Sequence, residues 1–403
     1  MQIPFPTVPV RTASSPLAWI ALCVGTASIF ANMYSTQAIL PLLGHVFDVG
    51  PATAGLTVSV VVLAVALGSL VAGPLSDRLG RKPVMVAASA ALIIPTLAAA
   101  LAPTFGSLVL FRGLQGLLMP GLTSVAIAYV HEAFPARRRG AAMGVYVAGT
   151  VLGGLLSRGA SSILADHLNW RAAMGFFTLS TALGALVLAL FLPDGPKVRG
   201  EVRSLWSGLR LHLRNRRLLG LCLVGFTLFF SFIGTFTYLP FYLTGSPFRL
   251  PLASLGLVYL VWLLGVFSPV AGILAARLGG GRLLVCCLLL ALTGMSLTLF
   301  HSLPVVVLGL GLQALCQFTA IPCANLLVGE AASSARGSAA SLYLCCYYLG
   351  GSVGALVPGI LWQRAAWPGV IAICLAMGIT ALAGAVALGR APRGVAGVRE
   401  RAA

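Results

Sequence analysis

Long apolar runs alternate with short polar segments along almost the whole chain. The runs cover about 17–43, 52–73, 83–102, 107–130, 141–163, 171–192, 218–243, 253–275, 283–301, 304–328, 338–361 and 368–389. Each holds about 20 residues or slightly more, and at ~1.5 Å per residue that spans a hydrocarbon core of about 30 Å. Membrane β-strands would instead alternate in polarity over about ten residues. The pattern predicts an all-α membrane protein with twelve transmembrane helices.

Composition supports that reading. Hydrophobic residues make up 59% of the chain and charged residues 8%, whereas soluble domains carry about 25% charge. The net charge of +18 sits in short loops, which makes it a topology signal and not a nucleic-acid surface. With the N-terminus inside, inner segments hold 21 Lys and Arg and outer loops hold three, Arg171, Arg249 and Arg364. That bias places both termini in the cytoplasm. The first span has no short apolar core with a cleavage site, so it reads as a retained helix. All nine cysteines fall in apolar spans, none in a loop CxxC, and they read as small buried side chains. No cofactor or metal site is expected.

The chain also repeats itself. GPLSDRLGRKPVM at 73–85 aligns with GILAARLGGGRLL at 272–284, and RGAAMGVYVAGTVLGG at 139–154 aligns with RGSAASLYLCCYYLGG at 336–351. LQG at 114–116 meets LQA at 312–314, and Trp170 meets Trp367, all at offsets of 197–199. Two six-helix bundles related by a pseudo-two-fold axis follow, residues 1–192 and 218–403. A basic cytoplasmic linker, 193–217, joins them; its Trp206 and leucines suit a membrane surface and its arginines anionic headgroups. Parallel repeats of this kind are a transporter architecture, with the substrate between the halves.

Gly73, Asp77, Arg78, Gly80, Arg81 and Lys82 have the spacing GxxxDRxGRK between spans two and three. This resembles the signature loop of the major facilitator superfamily. LVLFRGLQG, with Arg112 and Gly116, resembles that superfamily's fourth-span motif. GTVLGG at 149–154 resembles the fifth-span motif of its antiporters, with Thr150 in place of proline. The chain as a whole is similar to the drug:proton antiporter branch that contains arabinose-efflux-like bacterial permeases. The resemblance implies a gate in which Asp77 meets the start of span eleven near Gly337, while Arg81 pairs with Glu132. Ala276 replaces the aspartate in the repeated loop.

Arg112 and Arg158 are charges within apolar spans, and intramembrane charges usually face a polar cavity or partner. From their depth both side chains can also snorkel to the interface. Their repeat counterparts are Leu310 and Ala355, so the fold does not need a charge at either place. By resemblance Arg112 takes part in coupling; Arg158 and Asp48 are further coupling candidates. All eight acids lie outside the spans, so an embedded proton-carrying carboxylate is missing, and Asp48, Asp77, Glu132 or the substrate must serve. Cavity candidates by resemblance are Asn32, Tyr34, Gln37, Gln115, Tyr238, Tyr242, Gln313, Gln317 and Asn325, with Tyr146, Tyr343 and Tyr347 from spans five and eleven. Each also suits helix–helix bonding.

These features predict a secondary transporter in a bacterial inner membrane, monomeric, moving a small drug or sugar-like solute in exchange for protons. The alternative is an organic-anion carrier using Arg112 and Arg158. No phosphate-binding loop suggests ATP drive, and no catalytic cluster suggests an enzyme.

Overall fold

Local signals start the helices where the apolar runs begin. The Ser15 hydroxyl accepts from Ala18 N and Pro16 opens α1 (Pro16–Met33). Thr104 and Ser107 form a capping box before α5 (Phe105–Leu118). Asn169 caps α8 (Trp170–Phe191), and Asn215 caps α9 (Arg216–Thr244). In this computed structural model, residues 15–195, 212–267, 270, 274–275, 277–332 and 336–390 are described.

The first bundle also contains α2 (Leu40–Phe47), α3 (Pro51–Leu79), α4 (Arg81–Ala100), α6 (Pro120–Ala133) and α7 (Ala136–His167). The second continues with α10 (Leu252–Val258), a 3₁₀ segment (Tyr259–Phe267), α11 (Gly280–Leu297), α12 (Leu303–Ala331) and α13 (Arg336–Arg390). Among the described residues, ten helical stretches are long and apolar enough to cross a membrane, and Leu252–Phe267 is a shorter apolar one. The sequence pattern counts twelve. Two of its spans, 338–361 and 368–389, fall within α13, which is broken at Ala365 and Ala366, where the backbone is not helical. The expected span 253–275 runs past Phe267 into residues that are only partly described, and most of the basic linker, 196–211, lies outside the described residues.

The duplication appears in the packing. In the first bundle α7 lies on α1, and a Cβ on Gly153 would collide with the Ala27 carbonyl. In the second, α13 lies on α9, and a Cβ on Gly350 would collide with the Phe226 carbonyl. These are equivalent contacts, and only glycine lets the backbones approach so closely.

One equivalence fails. α1 stops at Met33 and the chain turns through Tyr34–Thr36 before a short 3₁₀ turn and α2. At the matching place α9 continues unbroken to Thr244. The broken helix leaves carbonyls without intrahelical partners.

The two bundles meet at the end where α3 begins. There the Ser59 and Ser352 hydroxyls bond at 3.0 Å, Gln37 Nε2 donates to Thr237 Oγ1 at 3.0 Å, and a Cβ on Gly55 of α3 would collide with the Ala355 carbonyl. A Cβ on Gly256 would press on Gly159 and Ser162 across the same seam. Toward the Gly73–Lys82 end, Gly73, Gly140, Gly144 and Gly337 face open space. Among the described residues, the hydrogen bonds that join the bundles, Gln37 to Thr237 and Ser59 to Ser352, lie at the closed end.

Candidate functional site

The signature loop forms where α3 ends. Gly80 adopts a φ of +97°, a conformation open to glycine, and turns the chain directly into α4. That turn aims Arg81 back at two acids. Its Nε and Nη2 bond Glu132 Oε2 and Oε1 at 3.0 and 2.8 Å, and Nη2 lies 2.6 Å from Asp77 Oδ1. Nη1 donates to Ser76 Oγ. Asp77 is therefore bound within its own bundle, to Arg81. Arg78 is exposed, and Lys82 lies 3.5 Å from Asp194. Ala276, in the equivalent loop of the second bundle, lies outside the described residues. Planar, two-point guanidinium–carboxylate contacts are among the stronger charged bonds. Arg81→Met is expected to destabilise the protein by about 1–3 kcal/mol, seen as a lower unfolding midpoint in detergent, with Glu132→Gln giving a smaller drop.

Arg112 is fully buried inside the first bundle. It does not reach the interface. Its Nη1 donates to Asn32 O at 2.8 Å and Gln115 Oε1 at 2.7 Å, and Nη2 donates to Met33 O at 2.7 Å. Nη1 also reaches Ser35 Oγ, and Nε donates to Thr57 O at 3.1 Å. Asn32 and Met33 are the last residues of α1, so the guanidinium caps the carbonyls freed by the helix break. A cation there also meets the negative end of the helix dipole. In the second bundle α9 has no break and frees no carbonyls, which accounts for the buried Leu310 in the equivalent position.

Arg158 is equally buried, but at the seam. Its Nε donates to Gln37 Oε1 at 2.9 Å, Nη2 donates to the same oxygen, and Nη1 donates to Gly154 O at 2.7 Å. Three rings cover the guanidinium, with its carbon 3.7 Å from the Trp262 centroid, 4.5 Å from Tyr34 and 5.1 Å from Tyr259. Trp262 and Tyr259 come from the opposite bundle. Through Gln37 the cation also connects to Thr237 there. Every partner described for Arg158 is uncharged.

Of the other sequence candidates, Tyr34 and Gln37 join this seam. Asn32 donates to Thr96 and Thr181 inside the first bundle, and Gln115 serves Arg112. Tyr146 donates to Thr123 O. Gln313 donates to Thr235 within the second bundle, while Gln317 donates to Tyr347, whose ring stacks on Phe229 at 4.0 Å. Tyr343 packs against Gly225, and Tyr242 stacks on Trp367 at 4.6 Å. Tyr238 donates to Ala355 O within the second bundle, its hydroxyl facing Gly55 of the first. Asn325 is exposed on α12, and Asp48 is exposed in a left-handed conformation that ends α2. Sequence reading missed Tyr259, Trp262 and Thr237. Their i, i+3 spacing was visible for the first two, but not the distant arginine that they face.

The family model for the Major Facilitator Superfamily matches residues 22–267 and 248–403. The Escherichia coli K12 inner membrane transport protein YnfM is 35% identical over 370 residues, covering 90% of this chain and 88% of that protein. The Bacillus subtilis 168 uncharacterized MFS-type transporter YybF is 33% identical over 358 residues, with 88% of each covered. Among solved structures, a bacterial homolog of the human lysosomal transporter Spinster, inward-facing and occupied, superposes with a TM-score of 0.76. That match has 16% identity and covers 95% of this chain and 98% of the other, a likeness of fold.

Proposed function

Since the chain belongs to the Major Facilitator Superfamily of secondary transporters, we propose that it carries a small organic anion by alternating access. The observation that carries this reading is Arg158: a buried, permanently charged group at the seam whose described partners are all neutral. A buried charge without a counter-charge is costly. An anion entering the seam supplies that counter-charge, and it can do so only when the bundles part there.

On this reading the chain crosses a bacterial inner membrane twelve times as a monomer, with both termini in the cytoplasm. The closed seam then faces outward and the Gly73–Lys82 end opens to the cytoplasm. Rocking would part the seam and close the opposite end, where the Arg81–Asp77–Glu132 cluster stiffens the rim. Arg112 would position α1 through its carbonyls, and Arg158 would meet the substrate.

Proton-coupled efflux of a drug or sugar-like compound is the second reading. It is favoured by the antiporter-like GTVLGG stretch, whose Gly149 and Gly153 press against α1. Protons would then travel on the substrate or on Asp48, Asp77 or Glu132. Proteoliposomes offered labelled acetate, benzoate, arabinose and ethidium, with a pH dye inside, separate the two. The anion reading expects carboxylate movement without movement of arabinose or ethidium. Transport of arabinose or ethidium with proton flux, and of neither acid, would sink it.

A further inference from the structure

The cage around Arg158 is built from both bundles. Arg158, Tyr34 and Gln37 belong to the first, and Tyr259 and Trp262 to the second. The second-bundle rings lie in a 3₁₀ segment, Tyr259–Phe267, far longer than the usual three or four residues. With three residues per turn, positions three apart eclipse one another. Tyr259 and Trp262 therefore stand in line over the cation, with Gly265 next in the row against Phe318. Behind Trp262 lie Phe232, Phe236 and Phe318, with ring centroids at 5.1, 5.6 and 5.7 Å. The indole is thus held from behind and presents one face to the guanidinium.

One buried polar atom of the cage has no partner, Trp262 Nε1. Buried donors without partners are uncommon in folded proteins. Hydrogen-bonding capacity is left over next to the caged cation.

Parting the bundles at this end divides the cage. One wall keeps Arg158 with Gln37, Tyr34 and Gly154 O. The other keeps the flat indole of Trp262, stripped of the planar group that covered it. Building on the anion reading above, we infer that the divided cage is the substrate site and that it selects anions bearing a planar ring. The oxyanion takes the guanidinium fork, which suits carboxylates. The ring takes the place over Trp262 that the guanidinium held, as offset-stacked aromatic groups do. An aliphatic anion neutralises Arg158 but leaves the indole face poorly covered.

The test uses the full-length protein in liposomes, with acetate, cyclohexanecarboxylate and benzoate as probes. Binding is read from tryptophan fluorescence and from competition against labelled benzoate uptake. The wild type is expected to bind benzoate about tenfold more tightly than cyclohexanecarboxylate, an acid of similar size with no π face. Trp262→Leu should bring the two acids to nearly equal affinity by weakening benzoate, while Trp262→Phe keeps most of the preference. Arg158→Lys should weaken both acids alike. Where Trp262→Leu does not fold, the wild-type ratio and the Trp262→Phe variant decide. Equal affinities for the two ring acids in the wild type would overturn ring selection while leaving the anion reading standing. A preference that persists in a folded Trp262→Leu variant would move the ring site elsewhere. Failure of all three acids to bind would overturn both.

Discussion

Replacing Arg158 with alanine is expected to cut anion transport by about thirtyfold or more while leaving a folded, monodisperse protein. Alanine is the residue that the second bundle carries at the equivalent position, Ala355, which is itself buried against α3 of the first bundle. There the contact with the first bundle is made by backbone, the Ala355 carbonyl against Gly55, where a side chain makes it at Arg158. The fold thus accepts a small residue at this place. The binding function does not: losing one member of a buried, hydrogen-bonded charge contact costs about 2–5 kcal/mol, and every 1.4 kcal/mol is about tenfold. Part of the loss comes from Gln37, whose Oε1 accepts twice from Arg158 and would be left without those donors. Arg158→Lys keeps the charge without the planar fork and should fall between. Initial rates of benzoate uptake at matched protein density measure the series.

The second large effect falls on stability. Arg112→Leu puts the second bundle's residue into the first bundle, and the first bundle is not built for it. Three carbonyls, Asn32 O, Met33 O and Thr57 O, lose a charged donor, as do Ser35 Oγ and Gln115 Oε1. Breaking such a buried network costs about 3–5 kcal/mol, which corresponds to a fall of at least about 5 °C in unfolding midpoint. Scanning fluorimetry in detergent gives the shift directly. A variant with an unchanged midpoint but no transport would instead make Arg112 a coupling residue.

The contrast between the two arginines shows how far the sequence can be read. Both were visible as charges in apolar runs, with the same alternatives of cavity, interface and coupling. What separates them is a break in α1 at Met33, which hydropathy does not reveal because Tyr34–Ile39 lies within a continuous mostly apolar stretch. The all-helical membrane architecture was legible from run lengths, and the matched Gly153 and Gly350 contacts from sequence offsets. The pairing of Arg81 with Glu132 came from family resemblance, and the two side chains do lie together. The close packing of Gly153 and Gly350 follows from their repeat-related positions. The cage was not legible. Its members come from α1, α7 and a 3₁₀ segment of the other bundle, and nothing in one strand of sequence records which distant ring covers which cation. Span eight reads as an ordinary apolar helix, and the 3₁₀ geometry aligns Tyr259 and Trp262 more directly than an α-helix would.

The central claim is that the Arg158 seam must part in every transport cycle. The contact between Ser59 and Ser352, 3.0 Å between hydroxyls across the same closed end, offers a way to hold it shut. We would replace both with cysteine, oxidise the reconstituted protein, and follow benzoate uptake, with oxidised wild type as the control for the nine native cysteines. The cross-linked protein is expected to stop transporting, and reduction to restore the rate. Full transport by protein shown to be cross-linked would mean that this end never opens, and the seam would then be a static joint and Arg158 a structural residue.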